Sequence, residues 1–258
     1  MKIVVAIKQV PDRDAPMRIA VSGKWIDESD VQWAMNEPDA YALEEALLLK
    51  ESVAADGEVI VVSAGPERVG STIREALAKG ADRAIHIETE ELNSLDTLGI
   101  GKLLAAAVKR ENPDLILTGL QSDDLGSGQT GVVMAELLGV PHSTIIMQVE
   151  VDGARIKVKR ELEDGWFQHI GMPLPAVLTI QSGSNKLRYA TLMGIKKAKT
   201  KEIRRVTPAD LGGLAAPVAA ISKVSAPQKQ KQAQIFEGDP KTAAAQLVEK
   251  LKFEVRVI

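Results

Sequence analysis

Residues 114–139 read DLILTGLQSDDLGSGQTGVVMAELLG, and this stretch decides the fold. Asp114 to Leu120 is a short apolar run typical of a buried strand, and a glycine-rich loop leads from it into apolar residues at helical spacing. A strand, a loop of small residues and a helix expose backbone N–H groups at the helix N-terminus, where a phosphate can bind. The loop contains Asp123 and Asp124 and lacks the lysine of a Walker loop, so its ligand must be inferred from further features.

Short runs rich in β-branched residues recur along the first half of the chain, at Lys2–Val10, Glu58–Ala64, Ala84–Ile87 and Asp114–Leu120. Each is typical of a strand buried on both faces of a parallel sheet. The segments that follow the first two runs carry apolar residues at helical spacing. The alternation predicts an α/β fold with a doubly wound, mostly parallel, Rossmann-like sheet.

A different pattern begins after Gly139. Residues 143–162 read STIIMQVEVDGARIKVKREL and alternate around Asp152-Gly153, which predicts a β-hairpin inserted into the fold. Leu174–Gln181 then predicts one more buried strand.

The end of the chain differs in composition. From Val206 onward Ala, Gly, Pro, Lys and Gln dominate, and little remains to be buried. The tail carries a short helical pattern around Leu247 and Leu251, with Asp239 as a plausible N-cap and Pro240 at the first helical position. We therefore expect a core over residues 1–205 and an arm over 206–258 that ends in a helix and docks on a partner.

Composition and charge disfavour several classes of protein. A formal net charge of −3 provides no overall attraction to nucleic acid or to an anionic membrane. With no cysteine, the chain cannot form a disulfide or a cysteine-ligated metal site. No stretch approaches the roughly 20 apolar residues of a membrane span, and the N-terminal apolar run is too short for a signal peptide. We expect a cytoplasmic protein, or one of the mitochondrial matrix in a eukaryote.

The loop Gly126–Gly131 contains the groups that a phosphate needs. Its three glycines permit close approach of the backbone, and Ser127, Gln129 and Thr130 can donate hydrogen bonds. An ordinary helix N-cap by Ser127 or Thr130 explains the same residues without a ligand. Because the neighbouring carboxylates repel added negative charge unless Mg²⁺ intervenes, a monophosphate is a better candidate than a polyphosphate.

Two further loops belong to the same argument. Asn36–Asp39 precedes the first helix, where Asn36 as N-cap and Asp39 three residues later resemble a capping box that needs no ligand. Ser63–Glu67 leaves the end of a predicted strand. Loops at the carboxyl edge of a parallel sheet converge on a crevice, so the three loops together favour a nucleotide site.

The residues that carry chemistry elsewhere are sparse in this chain. His86, His142 and His169 lie far apart in strand-like or turn-like surroundings, which favours structural roles and predicts no metal site. There is no nucleophile elbow and no Walker loop. We predict no catalytic residue.

Residues 188–205 read RYATLMGIKKAKTKEIRR and form the most unusual surface segment. Leu192 and Met193 stand beside Gly194, and the segment then becomes basic. A solvent-exposed helix is one interpretation of this pattern, and a docking loop with a protruding apolar anchor is the other.

The chain resembles the β-subunit of electron-transfer flavoproteins over essentially its whole length. The matching stretches include VVAIKQVPD, NEPDAYALEEAL, REALAKGADRAIH, QSDDLGSGQTG and LPAVLTIQ. The most specific is N-x-x-R-Y-A-T-L-x-x-I-x-x-A-K at residues 185–199, in which Leu187 and Met193 stand where proline is usual in the family.

The resemblance implies a heterodimer in which the α-subunit carries the redox FAD and this chain binds an adenine nucleotide, usually AMP. It also implies that flavoprotein dehydrogenases donate electrons and that a downstream quinone-linked oxidoreductase accepts them. The cofactor-binding residues implied by the family pattern are Ala6, Asn36, Glu37, Pro38, Asp39, Ala64, Asp123, Asp124, Leu125, Gly126, Ser127, Gly128, Gln129, Thr130, Gly131, Val132, Val133 and Met134.

The resemblance also implies surfaces for partners. Leu192 matches the anchor that inserts into partner dehydrogenases, and Arg188, Tyr189 and Met193 accompany it in the docking segment. Glu161 matches a family glutamate near the flavin domain of the α-subunit.

Two alternatives to this interpretation remain. Bifurcating members of the family hold a second FAD in the same site, typically with a loop like D-G-D-T-A-Q-V-G-P. This chain has D-D-L-G-S-G-Q-T-G instead, which is nearer the AMP form.

A stand-alone stress-type protein that binds an adenine nucleotide can share the core and the glycine loop. The long arm and the segment 185–199 argue against that second alternative.

Overall fold

The computed structural model describes residues 1–53, 56–227 and 233–257, which contain eleven strands and six α-helices. The strands are β1 (Lys2–Ala6), β2 (Gln9–Pro11), β3 (Trp33–Met35), β4 (Glu58–Gly65), β5 (Arg83–Glu88), β6 (Leu115–Gly119), β7 (His142–Asp152), β8 (Arg155–Glu161), β9 (Phe167–Pro173), β10 (Ala176–Ile180) and β11 (Ile203–Val206). The helices are α1 (Glu37–Val53), α2 (Val69–Lys79), α3 (Thr97–Lys109), α4 (Thr130–Leu138), α5 (Leu192–Ala198) and α6 (Pro240–Lys250).

One sheet dominates the larger of two compact units, Met1–Lys223. Its strand order is β11-β5-β4-β1-β6-β10-β7-β8-β9, and the pairings from β11 to β7 are parallel. The chain adds β4 and β5 on one side of β1 and then returns to add β6 on the other. The strand order therefore reverses at β1, which confirms the predicted doubly wound α/β fold.

Each face of the sheet supports its own core. Along β1, Ile3 and Val5 pack with apolar residues of α1 and α2, whereas Val4 and Ala6 pack with those of α3 and α4. Successive side chains of a strand point to opposite faces, so a strand covered on both faces is apolar at every position. This explains why the short runs lack an alternating pattern.

The first predicted strand, Lys2–Val10, is wrong in its extent. The main sheet keeps only β1, and Gln9–Pro11 pairs antiparallel with Trp33–Met35 in a separate two-stranded sheet. The chain leaves the main sheet because the N–H of Lys8 donates to the carboxylate of Asp39 rather than to a neighbouring strand.

The predicted hairpin at Asp152-Gly153 is confirmed, since β7 and β8 pair antiparallel across it. Sequence reasoning missed β9, which pairs with β8 and makes the insertion three-stranded. Of the seven residues of β9, only Met172 is buried. A strand this exposed has no apolar pattern that could reveal it.

Residues 188–205, for which the sequence left a solvent-exposed helix and a docking loop open, contain a short helix followed by the start of a strand. Leu192–Ala198 forms the short helix α5, whose N-cap Thr191 accepts the N–H of Gly194 at 3.0 Å. The chain then adds β11 beside β5 at the sheet edge. Leu211 and Leu214 pack against the core, so residues 206–223 belong to the first unit although their composition predicts little burial.

The second unit is Val224–Ile258. The predicted cap of its helix is confirmed, because Asp239 accepts the N–H groups of Lys241 and Thr242 at 3.0 and 3.1 Å and Pro240 occupies the first helical position. Across both units, every helix within the described ranges is too short or too polar to span a bilayer.

The start of α1 is joined to the ends of β1 and β6 by Asp39. Its carboxylate accepts the N–H of Lys8 at 2.7 Å and the N–H of Gly119 at 2.9 Å. A Cβ atom at Gly119 would lie 2.7 Å from the backbone of Pro38 and Asp39 and would also collide with the Asp39 carboxylate. Only glycine lets the two segments approach this closely.

We expect Gly119→Ala to lower the free energy of unfolding by about 3 kcal/mol, because the added methyl group overpacks the junction and displaces Asp39. Gly70→Ala is the matched control, since Gly70 lies in α2 and a Cβ there meets no atom within 4 Å. That variant should be unchanged or more stable by up to about 1 kcal/mol. Urea denaturation of both proteins measures the difference, and equal midpoints would contradict the argument.

Candidate functional site

A cavity of about 800 Å³ opens at the carboxyl edge of the sheet, where the strand order reverses. Ala6 at the end of β1 and Thr118 and Gly119 at the end of β6 form part of its wall, together with the loop before α4. Small-molecule sites usually measure about 300–1,000 Å³ and favour such switch points. The position and the volume fit the predicted nucleotide site.

Many of the predicted cofactor-binding residues line this cavity, namely Ala6, Asn36, Asp39, Ala64, Asp124, Leu125, Ser127, Gly128, Gln129, Thr130 and Gly131. Others do not contribute to the wall, namely Glu37, Pro38, Asp123, Gly126, Val132, Val133 and Met134. Met134 is completely buried in the core. Glu37 pairs with Arg13.

The N-terminus of α4 faces the cavity without a side-chain cap. Its N-cap residue is Gln129, so the interpretation of Ser127 or Thr130 as an ordinary N-cap is wrong. Among the described residues, no acceptor bonds the N–H groups of Thr130, Gly131 or Val132, and the first helical bond runs from Val133 to Gln129. The free donors and the positive end of the helix dipole favour an anionic group at this point.

Glycine is required at two kinds of position in this loop. Gly126 and Gly128 have φ values of +61° and +62°, in the left-handed region. Gly131 instead lies against the sheet, since a Cβ there would be 2.7 Å from Thr118 Oγ1 and from Thr179 Cγ2. The loop thus turns sharply and brings the start of α4 onto β6 and β10.

Asn36 does not act as the predicted capping box. Its Nδ2 donates to the carbonyl of Gln121 at 3.0 Å, and its Oδ1 accepts the N–H of Asp123 at 2.9 Å. The side chain therefore fastens the loop after β6 to the start of α1. Asp39 serves the same junction, and burial raises its pKa to about 7 although the N–H donors of Lys8 and Gly119 oppose that rise.

One of the two aspartates of the loop forms an ion pair inside the protein. Asp124 Oδ1 lies 2.6 Å from Lys8 Nζ, which also approaches Ser122 Oγ at 3.3 Å. The pair is half-buried and neutral overall. Because Asp124 is paired, its carboxylate adds little repulsion against a phosphate at α4.

One wall of the cavity was missed by sequence reasoning. Trp25 and Trp33 line it together with Arg68, whose guanidinium carbon lies 3.5 Å from the centre of the Trp33 ring. Arg68 also donates to Gln9 Oε1 at 2.7 Å and to Glu28 Oε2 at 3.0 Å. The only signal in the sequence was that two of the three tryptophans fall within one short segment.

A second unexpected wall comes from residues 219–221. Asp96 caps α3 by accepting the N–H of Gly99 at 2.8 Å, and it also accepts the N–H groups of Val218 and Ala219 at 2.7 and 3.1 Å. One carboxylate therefore caps the start of α3 and holds Val218 and Ala219 beside the cavity.

The predicted docking residues fall into two groups. Tyr189, Leu192 and Met193 are 93%, 86% and 64% exposed, and we call these three the apolar ridge. Arg188 instead pairs with Glu44 and Glu51 of α1. Glu161 lies in β8 and accepts a hydrogen bond from Gln181 at 3.3 Å.

Within the part of the chain that the structure describes, no three His, Asp or Glu side chains are grouped so that they could hold a metal ion. His86 is buried, and its Nε2 lies 3.0 Å from the carbonyl of Gly65.

Comparison with known proteins agrees with this architecture. A family model described as "Electron transfer flavoprotein domain" matches residues 24–211. The chain is 38% identical to "Electron transfer flavoprotein subunit beta" of Methylophilus methylotrophus over 257 residues, which cover 96% of this chain and 97% of the relative. This chain belongs to the electron transfer flavoprotein β-subunit family. The resemblance inferred from the sequence motifs is therefore confirmed.

Other relatives lie at a similar distance. "Electron transfer flavoprotein subunit beta" of Homo sapiens is 39% identical over 232 residues, which cover 89% of this chain and 90% of the relative. "Electron transfer flavoprotein subunit beta, mitochondrial" of Oryza sativa subsp. japonica is 38% identical over 260 residues and is matched along the full length of both chains. The residues matched by the family model, 24–211, include both the loop before α4 and the apolar ridge.

Proposed function

We propose that this chain is the β-subunit of a heterodimeric electron transfer flavoprotein. It supports an α-subunit that carries the redox FAD, and it docks dehydrogenases so that electrons pass to a downstream, quinone-linked acceptor. The observation that carries the proposal is that one chain of this family contains both the cavity at the switch point and the apolar ridge. The chain itself makes and breaks no substrate bond and acts as an electron-carrier subunit, in the cytoplasm or, in a eukaryote, in the mitochondrial matrix.

We further propose that the cavity binds AMP. The free N–H groups at the start of α4 and the hydroxyls of Ser127 and Thr130 would hold its phosphate. These donors are neutral and belong to one helix end, which suits a single phosphate. Lys8, which lines the cavity, is already paired with Asp124, so it offers little charge to a second phosphate.

The α/β complex should release one AMP and one FAD per heterodimer on denaturation. The reason is that one helix N-terminus with neutral donors favours one phosphate over the two of a dinucleotide. Mass spectrometry and absorbance of the released nucleotides give the count. Two FAD and no AMP would overturn the assignment and support the bifurcating alternative.

A matched pair of variants tests whether the loop holds the nucleotide. Gly126→Ala and Gly128→Ala introduce the same left-handed strain, but only Gly128 lines the cavity. Both variants should lose similar stability, and only Gly128→Ala should lose AMP. Tryptophan fluorescence follows the loss, since Trp25 and Trp33 line the cavity. Equal AMP content in the two variants would argue for a ligand elsewhere.

We propose that the unit Val224–Ile258 is the arm that docks on the α-subunit. No residue of α6 is buried, and Ile235, Val248 and Phe253 are exposed apolar side chains. Apolar residues that remain accessible in one unit favour an interaction with another protein.

Removal of residues 224–258 should weaken binding to the α-subunit and leave the remaining chain folded. The cut follows Lys223 because Leu211 and Leu214 pack against the core and must stay. Calorimetric titration of the α-subunit compares the affinities, and thermal melting of the chain alone is the control. Unchanged affinity after the truncation would refute the docking role of the arm.

Leu192→Ala should weaken docking to the partner dehydrogenase roughly thirtyfold. A leucine inserted into an apolar pocket contributes on the order of 2 kcal/mol, and about 1.4 kcal/mol corresponds to a factor of ten. Stopped-flow reduction of the complex by the dehydrogenase measures docking. Melting should change little, since an exposed substitution usually costs within about 0.5 kcal/mol.

Val21→Ala is the control for this experiment, because Val21 is a fully exposed apolar residue outside the docking segment. It should leave the reduction rate unchanged. If Leu192→Ala melted many degrees lower and yet accepted electrons at the wild-type rate, the docking role would be wrong.

A further inference from the structure

The apolar ridge stands next to a dense set of hydrogen bonds centred on Arg188. The Nε of Arg188 donates to both carboxylate oxygens of Glu44 at 3.0 and 2.9 Å, and Nη2 donates to Glu44 Oε1 at 2.9 Å. Its backbone N–H also donates to Glu44 at 3.1 Å. Nη1 and Nη2 donate to Glu51 at 2.6 and 3.1 Å. We call these three side chains the Arg188 network.

The two carboxylates of this network differ in exposure. Glu44 is 4% exposed and sits on the buried side of α1, whereas Glu51 is exposed. A buried carboxylate is strongly destabilising unless it is paired, and the planar guanidinium fork suits it. Hydrogen bonds to Glu51 and Glu44 raise the pKa of Arg188 above its usual range, and Arg188 lowers the pKa of Glu51. The pairing therefore holds the backbone of Arg188 against α1.

A neighbouring contact supports the same segment on α1. Asn185 Nδ2 donates to the carbonyl of Tyr41 at 3.2 Å and to Glu45 Oε2 at 3.1 Å. The segment that precedes the ridge is thus fastened to α1 at two points, Asn185 and Arg188.

The other end of the ridge is held by α2. A Cβ at Gly194 would collide with the carbonyl of Ala78, so α5 lies directly on the end of α2. Arg74 of α2 donates to the carbonyls of Ala198 and Lys201. The exposed side chains of the ridge therefore project from a backbone that is fixed on both sides.

We propose that Arg188 is a positioning residue for docking. Its hydrogen bonds to Glu44 and Glu51 hold the backbone of the apolar ridge in place. The proposal rests on the docking role of Leu192 proposed above. Arg188 faces α1 rather than a partner, so its effect on a dehydrogenase passes through the ridge. A ridge ordered before contact loses less conformational entropy when a partner binds.

The test is a double-mutant cycle between Arg188→Ala and Leu192→Ala in the complete α/β complex, read as KM and kcat for reduction by the dehydrogenase. Arg188→Ala should raise KM about tenfold, which corresponds to about 1.4 kcal/mol, and leave kcat and nucleotide content unchanged. In the Arg188→Ala background, Leu192→Ala should have a clearly smaller effect than in the wild type. Arg18→Ala is the control, because Arg18 forms an exposed ion pair with Asp30 outside this segment.

A second variant removes the risk that an unpaired Glu44 unfolds the protein. Glu44→Leu combined with Arg188→Met replaces the buried pair by apolar side chains, a change that often preserves stability. This variant should fold and still show a raised KM.

The outcomes separate the two proposals. A raised KM with a reduced effect of Leu192→Ala supports the positioning role. A wild-type KM in Arg188→Ala and in the double replacement, with Leu192→Ala still impaired, overturns the positioning role alone. A wild-type KM in Leu192→Ala overturns the docking role and the positioning role together.

Discussion

The carboxylate of Asp39 is the interaction on which the rest of the structure depends. It accepts the N–H group of Lys8, which follows β1, and the N–H group of Gly119, which ends β6. These two strands are neighbours at the point where the strand order reverses. These bonds join the start of α1 to the edge of the sheet where the cavity opens. Because the carboxyl group is buried, losing either donor would leave buried polar atoms without a hydrogen-bond partner, so the three segments keep one arrangement.

The same junction accounts for one of the two acidic side chains of the loop before α4. The side-chain amide of Asn36 donates one hydrogen bond to the loop after β6 and accepts another from it. Lys8 pairs with Asp124 of the same loop. The carboxylate of Asp124 is thereby paired within the chain. The backbone N–H groups at the start of α4 stay free, and the neutral donors of the loop face the cavity.

The cavity and the apolar ridge are built from different parts of the chain. The cavity is built from backbone groups at strand ends, whereas the apolar ridge projects from a segment fastened to α1 and α2. Helix α1 links the two, since Asp39 in its first turn serves the cavity and Glu44 and Glu51 farther along serve Arg188. The proposed nucleotide and the proposed partner would therefore use different side chains, although α1 supports both surfaces.

Local pattern alone determined the α/β class, the hairpin at Asp152-Gly153 and the cap at Asp239, because each depends on residues adjacent in sequence. Eleven of the residues that the family resemblance implied line the cavity, whereas its tryptophan wall and the wall from residues 219–221 came only from the structure. Only the tertiary structure decided that Asn36 bridges two loops rather than capping a helix, and that Arg188 faces α1. The partners of these side chains lie 85 and 144 residues away, and they meet only when parallel strands and their helices assemble.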